Sequence, residues 1–160
     1  IAIETAETGH LVFGTLHTNT AASTVDRLIN QFPANEQEQI RMMLASSLKA
    51  VISQTLCKKL GGGRVAALEV LIVNAAIGSN IREAKTYQIP SAMQTGGKLG
   101  MVVLNDALTK LVKARQIEPK EAHLKAVDKD DLQRRLALEG IQVGAPDSLS
   151  ASPAGLKRVP

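Results

Sequence analysis

Aromatic residues are nearly missing: Phe13, Phe32 and Tyr87 are the whole complement of 160 residues, and there is no Trp. Modules that grip single-stranded nucleic acid stack bases on aromatic platforms, and this chain has too few rings to build one. Cysteine is reduced to Cys57, which can close no internal disulfide and no cysteine-lined metal cage. A reducing, cytoplasmic compartment follows as the default. No run approaches the roughly 18 consecutive apolar residues that span a bilayer, and charge of one sign forms no block. The 19 Lys and Arg exceed the 15 Asp and Glu by 19 − 15 = 4, scattered singly or in pairs such as Lys58-Lys59 and Arg134-Arg135. That basic balance alone does not point to nucleic acid. The chain opens on Ile1 without a Met or the charged-then-apolar signature of a signal peptide, and is expected to be an internal fragment. What is present is 44% hydrophobic, enough for one domain with a real core.

Apolar spacing sets the order of elements. Ile1 to Thr8 reads as the end of a helix stopped by Gly9, and His10 to His17 is a short apolar run that predicts a strand buried on both faces. Thr18, Asn19 and Thr20 supply capping side chains, after which Val25, Leu28, Ile29 and Phe32 recur at threes and fours. Strand, tight turn and helix are expected there. Pro33 ends that helix, Asn35 with Glu38 resembles a capping box, and Ile40, Met43, Leu44, Leu48, Val51 and Ile52 predict one face of a longer helix. Thr55–Leu60 and Arg64–Val73 then predict a hairpin around Gly61-Gly62-Gly63. A glycine-rich turn holds phosphate when Lys with Ser or Thr follows and a helix begins; neither occurs, so these glycines are turn chemistry. Helical segments follow at about 74–85, 90–95, 101–115, from Glu118-Pro119 onward, and 128–139. Met101, Leu104, Leu108, Leu111 and Val112 form one apolar stripe of the core-packing kind. Residues 141–160, rich in Pro, Ser, Ala and Gly, show no period and read as a disordered tail. The fold class is α/β over 1–73, then all-α over 74–140.

Of the three histidines, His10 and His17 bracket the first predicted strand. Seven extended steps separate them by roughly 23 Å at about 3.3 Å per residue, too far to share one metal ion. His17 falls at the carboxyl end of a strand, before a polar turn into a helix, which is the edge where open α/β sheets bind ligands. There it is either a phosphate ligand or water-orienting group, or a histidine that caps a strand end. Arg27 follows along the same helix. A basic side chain in that place stabilises charge on a transferred phosphoryl group, or is an ordinary surface arginine; Arg64 has the same two readings.

Read together, Glu7-Thr8-Gly9-His10-Leu11-Val12-Phe13-Gly14-Thr15-Leu16-His17-Thr18 resembles the histidine box of the secretion and pilus motor ATPases. Ser23-Thr24-Val25-Asp26-Arg27, Phe32-Pro33, Val51-Ile52-Ser53-Gln54-Thr55-Leu56, Gly61 to Glu69, and Gln94-Thr95-Gly96-Gly97-Lys98-Leu99-Gly100-Met101 are similar to successive landmarks of the type IV pilus retraction (twitching motility) ATPases. The resemblance runs from Ile1 to about Ala122. It implies the later half of a RecA-like P-loop NTPase core followed by an all-α C-terminal extension, within a homo-hexamer using ATP and Mg2+. It further implies action on an inner-membrane pilus platform protein from the cytoplasmic face, with peripheral membrane association only and no direct nucleic acid. In that family the second histidine of the box approaches the terminal phosphate, so the catalytic role carries over to His17. His10, Thr18 and Arg27 become nucleotide-proximal.

The family's retraction motif, Ala-Ile-Arg-Asn-Leu-Ile-Arg-Glu, is similar to residues 76–83. Ala76, Ile77, Ile81, Arg82 and Glu83 agree, while Gly78, Ser79 and Asn80 depart from it. A mid-helix Gly costs about 1 kcal/mol relative to Ala; Arg82 and Glu83 are otherwise a solvated surface pair. No Gly-x-x-x-x-Gly-Lys-Ser/Thr loop occurs, and without its amides and Lys the chain alone is not expected to hydrolyse ATP. Two other readings stand beside the retraction motor. A pilus assembly or type II secretion ATPase shares the histidine box but commonly carries a cysteine-rich metal insertion that a lone Cys57 cannot supply. A non-catalytic module would instead dock protein or nucleic acid on helices 101–139. The isolated chain is expected to aggregate or to be only marginally stable, because strands lacking partners leave edges and apolar faces open.

Overall fold

A computed structural model describes residues 1–143; of the expected tail, 141–160, residues 144–160 lie outside the described residues. Helix α1 spans Ala2–Glu7, α2 Ala21–Ile29 and α3 Gln37–Ser47. Strands β1 (Ala50–Lys58) and β2 (Arg64–Ile72) follow, then α4 (Ala75–Arg82), α5 (Ile89–Thr95), α6 (Leu104–Lys113), α7 (Pro119–Lys125) and α8 (Lys129–Leu138). Single 3-10 turns at Thr86–Gln88 and Gly97–Leu99 flank α5.

The hairpin forms as expected. β1 and β2 pair antiparallel in continuous register from Ala50 opposite Ile72 to Lys58 opposite Arg64. Gly61, Gly62 and Gly63 all take positive φ, which only glycine adopts at little cost, so the turn rests on backbone freedom. Strand alternation places Val51, Ser53, Cys57, Ala67, Glu69 and Leu71 inward. Ile52, Leu56 and Leu68 stand on the open face, Ile52 at 67% exposure.

Three expectations are corrected. Residues 10–17 form no strand, and among the described residues no backbone N–H from Leu11 to Asn19 donates to a backbone carbonyl. Leu11 and Phe13 are 80% and 89% exposed. A doubly buried strand needs a neighbour on each side to satisfy its N–H and C=O groups, and the described β-strands pair with each other instead. Second, the longer helix stops at Ser47; Leu48 is extended and β1 begins at Ala50. Leu48, Val51 and Ile52 fit a helical spacing, but Val51 turns in and Ile52 out, the period of two that β-branched residues favour once a partner strand is present. Third, the cap falls on Glu36 rather than Asn35, without a side-chain hydrogen bond. The remaining helices match to within three residues at either end. Met101 and Val102 precede α6 because Val102 forms a bridge with Val70, donating at 2.9 Å and accepting at 2.8 Å.

Buried apolar side chains gather in two clusters. One joins α2, α3, α4 and α5 to Val51 and Leu71. The other joins α6, α7 and α8 to Cys57 and Ala67. The hairpin thus contributes to both, one end to each. Cys57 is wholly buried, and loss of hydration pushes its thiol pKa up, with Glu121 adding to the effect and Lys125 opposing it. α8 is held to α6 by polar contacts: Asn105 donates to Asp128 O at 2.9 Å and Asp131 Oδ2 at 2.7 Å, and Arg135 bridges Asp131 and Asp106.

Candidate functional site

The turn from His17 to Thr20 is held by side chains of α2. Thr20 caps the helix reciprocally with Ser23, its Oγ1 accepting the Ser23 N–H at 3.2 Å while Ser23 Oγ accepts the Thr20 N–H at 3.3 Å. Thr24 donates its hydroxyl proton to Thr20 O at 2.8 Å and lies 2.6 Å from Thr18 Oγ1. A hydroxyl has one proton, so Thr18 is the donor to Thr24 and keeps lone pairs alone to offer elsewhere. Arg27 Nη1 donates to the His17 carbonyl at 3.3 Å. The His17 main chain is therefore tethered at its carbonyl. Its imidazole is exposed and has no hydrogen-bond partner among the described residues.

Three of the four expected residues, His17, Thr18 and Arg27, come together at this turn. His10 does not join them: it follows α1, with Nδ1 3.1 Å from Thr8 Oγ1. Thr8 already donates to Thr5 O at 2.8 Å, so His10 Nδ1 is the donor. Arg64 is exposed at the far end of the hairpin, opposite Lys58.

Residues 76–83 form α4. Asn74 caps it, Oδ1 accepting the Ile77 N–H at 3.0 Å. Ile77 and Ile81 are buried in the first cluster, whereas Ala76, Arg82 and Glu83 are exposed. Glu83 does not pair with Arg82. It accepts from Lys85 Nζ at 2.7 Å and from Ser79 Oγ at 2.6 Å, and these hydrogen bonds hold its carboxyl below the usual range. Gly78 is buried where α4 crosses α3; a Cβ there would stand 3.1 Å from the Ala45 carbonyl oxygen. Arg82 borders a cleft of about 290 Å³ with Ser46, Lys49 and Asn74.

Glu69 escaped sequence reasoning as a functional side chain. It is 7% exposed on β2, with Oε1 accepting the Ala21 N–H at 2.7 Å and Oε2 the Leu104 N–H at 3.1 Å. An acid among Ala67, Leu68, Val70 and Leu71 was the available signal, since a buried carboxylate must find donors. Of the first four N–H groups of α2, which lack helical partners, those of Thr20, Ala21 and Ser23 are thus already taken.

The unpartnered His17 imidazole can donate to an acceptor oxygen or hold a water, whereas the Thr18 hydroxyl, its proton committed to Thr24, can only accept. For magnesium the fit fails, because no cluster of three or more His, Cys, Asp or Glu that could hold an ion exists among the described residues, and no step is assigned to the metal.

The family of Type II/IV secretion system proteins matches residues 1–67. The chain is 55% identical over 126 residues to the type IV pilus retraction ATPase PilT of Pseudomonas aeruginosa, covering 79% of this chain and 37% of that one. It is also 50% identical over 133 residues to a twitching motility protein of Neisseria gonorrhoeae, covering 82% and 36%. A crystal structure of the pilus retraction motor PilT with bound ADP superposes with TM-score 0.75 at 47% identity, covering 83% of this chain and 37% of that one. Over about four fifths of its length the chain is similar to the secretion and pilus motor ATPases. It spans little more than a third of the length of the curated relatives named here. The mixed α/β fold with its helical continuation is that of PilT, a RecA-like P-loop architecture. Among the described residues no helix is long and apolar enough to cross a membrane.

Proposed function

We propose that this chain forms the later part of a subunit of a hexameric ATPase that couples ATP hydrolysis to type IV pilus retraction. The observation that carries this reading is the His17 imidazole, exposed and unpartnered on an anchored main chain, in a sequence 55% identical to a retraction ATPase. His17 donates a ring N–H to an oxygen of the terminal phosphate, or holds the attacking water. Arg27 and Thr18 are positioning residues, because Arg27 is engaged by the His17 carbonyl and the Thr18 proton is spent on Thr24. The N-terminus of α2 does not cradle the phosphates: Glu69 already places a carboxylate there. His10 acts through α1 and Thr8.

In this reading residues 1–73 complete the ATPase core and 74–140 form the extension. Ile77 and Ile81 anchor the retraction motif, while Ala76, Arg82 and Glu83 present it outward. The subunit works at the cytoplasmic face of the inner membrane against a pilus platform protein, with magnesium held by another part of the subunit. Phosphate release by the complete subunit carrying this segment provides the test. His17→Ala is expected to lower turnover by about 100-fold or more; turnover within twofold of wild type removes His17 from the chemistry. A chimera of P. aeruginosa PilT with this segment in place of its own is expected to restore twitching to a strain lacking PilT. A chimera that hydrolyses ATP but leaves cells immotile would keep the ATPase and discard retraction.

A further inference from the structure

Glu69 joins two helices distant in sequence. Its two carboxylate oxygens accept the first N–H of α2 and the first N–H of α6, from Ala21 and Leu104. No cation pairs with it among the described residues. Ser53, directly across the strand pair, is buried, and its hydroxyl has no hydrogen-bond partner among the described residues. Each helix N-terminus carries about half a positive charge, so the two ends together offset the one negative charge, and neither alone does. The carboxylate is thereby committed to both helices at once. Next to it, Val70 and Val102 exchange backbone hydrogen bonds that seat the start of α6 on β2. At the other arm Ala21 lies three residues after Thr18, in the turn that also holds His17.

We propose that Glu69 is a positioning residue that couples the His17–Thr18 turn to α6, so that a shift of the turn with nucleotide state is passed through the carboxylate to the helices α6 to α8. This rests on the functional reading above. Moving Ala21 away from β2 either draws the carboxylate with it, away from the Leu104 N–H, or leaves that N–H as its one backbone donor, so the starts of α2 and α6 do not shift independently. Coupling of this kind needs a shared element that both sites bias, and Glu69 is that element here.

Hydrogen exchange on the complete subunit, with ADP and with a non-hydrolysable ATP analogue, tests the coupling. In the wild type, exchanging one nucleotide for the other is expected to change protection both in 17–24 and in 103–108. Glu69→Gln, whose amide keeps one acceptor oxygen, is expected to keep the change in 17–24 and lose that in 103–108. A separate variant, Ala21→Pro, removes one donor at a helix position where Pro is tolerated and is expected to do the same, which covers the case that Glu69→Gln fails to fold. Glu69→Asp, which keeps the charge but is too short for both bonds, is also expected to lose the 103–108 response. Retention of that response in a folded Glu69→Gln or Ala21→Pro variant overturns the proposal, as does a wild type in which 17–24 responds and 103–108 does not. A wild type that binds neither nucleotide overturns the functional reading itself, a distinct result.

Discussion

At the scale of single residues, the chain separates the group available for chemistry from the groups that hold it. His17 has a free ring and a tethered carbonyl; Arg27 has the reverse arrangement, its guanidinium turned onto backbone. The two are therefore expected to respond differently to truncation. Arg27→Ala should lower turnover by no more than about tenfold, since the one bond it removes is exposed to water, which holds its contribution to about 1 kcal/mol or less. Steady-state phosphate release by the complete subunit measures this beside His17→Ala; equal losses from the two variants would put the guanidinium on the phosphate. Residue identities around this turn were readable in the sequence, because Thr, Asn and Ser before an apolar helical spacing mark a cap. What could not be read was the use of Glu69 as a double acceptor, since its donors lie 48 and 35 residues away in sequence.

At the scale of elements, the hairpin and the run of later helices followed from local chemistry, and the errors fell where local chemistry is ambiguous. Leu48, Val51 and Ile52 satisfy a helical and a strand period together, and the partner β2 decides between them. The run from Leu11 to Leu16 has strand composition but no pairing edge among the described residues, so composition and structure part company. α8 depends on side chains more than its sequence suggests. Burial raises the Asp131 pKa, but hydrogen bonds from Arg135 and Asn105, with the charges of Arg135 and Arg134, bring it below the usual carboxylate range. A depressed carboxyl contributes stability that is complete above the unfolded value, about pH 4, and is lost as pH falls through the lower native value. Amide exchange within α8 is accordingly expected to rise below about pH 4 before that of the hairpin, and Asp131→Asn should abolish this acid sensitivity. An unchanged acid profile in Asp131→Asn would move the effect to another carboxyl.

At the scale of the whole molecule, two apolar clusters share one hairpin, and the hairpin's other face is open. Ile52, Leu56 and Leu68 stand together there, a contiguous apolar surface of the kind that drives association. The 160-residue chain by itself is expected to associate with rising concentration in sedimentation experiments, and Ile52→Lys with Leu56→Lys should shift it toward monomer. A monomer at all concentrations, with a sharp reversible thermal transition, would contradict this. Cys57 has a consequence of a different kind. It is the chain's one thiol, it is wholly buried where the hairpin meets the second cluster, and burial keeps it protonated. A thiol reagent therefore has nothing to react with until that junction parts, so the rate of labelling reads out the opening of the seam as a built-in clock, with no second cysteine to confuse the signal.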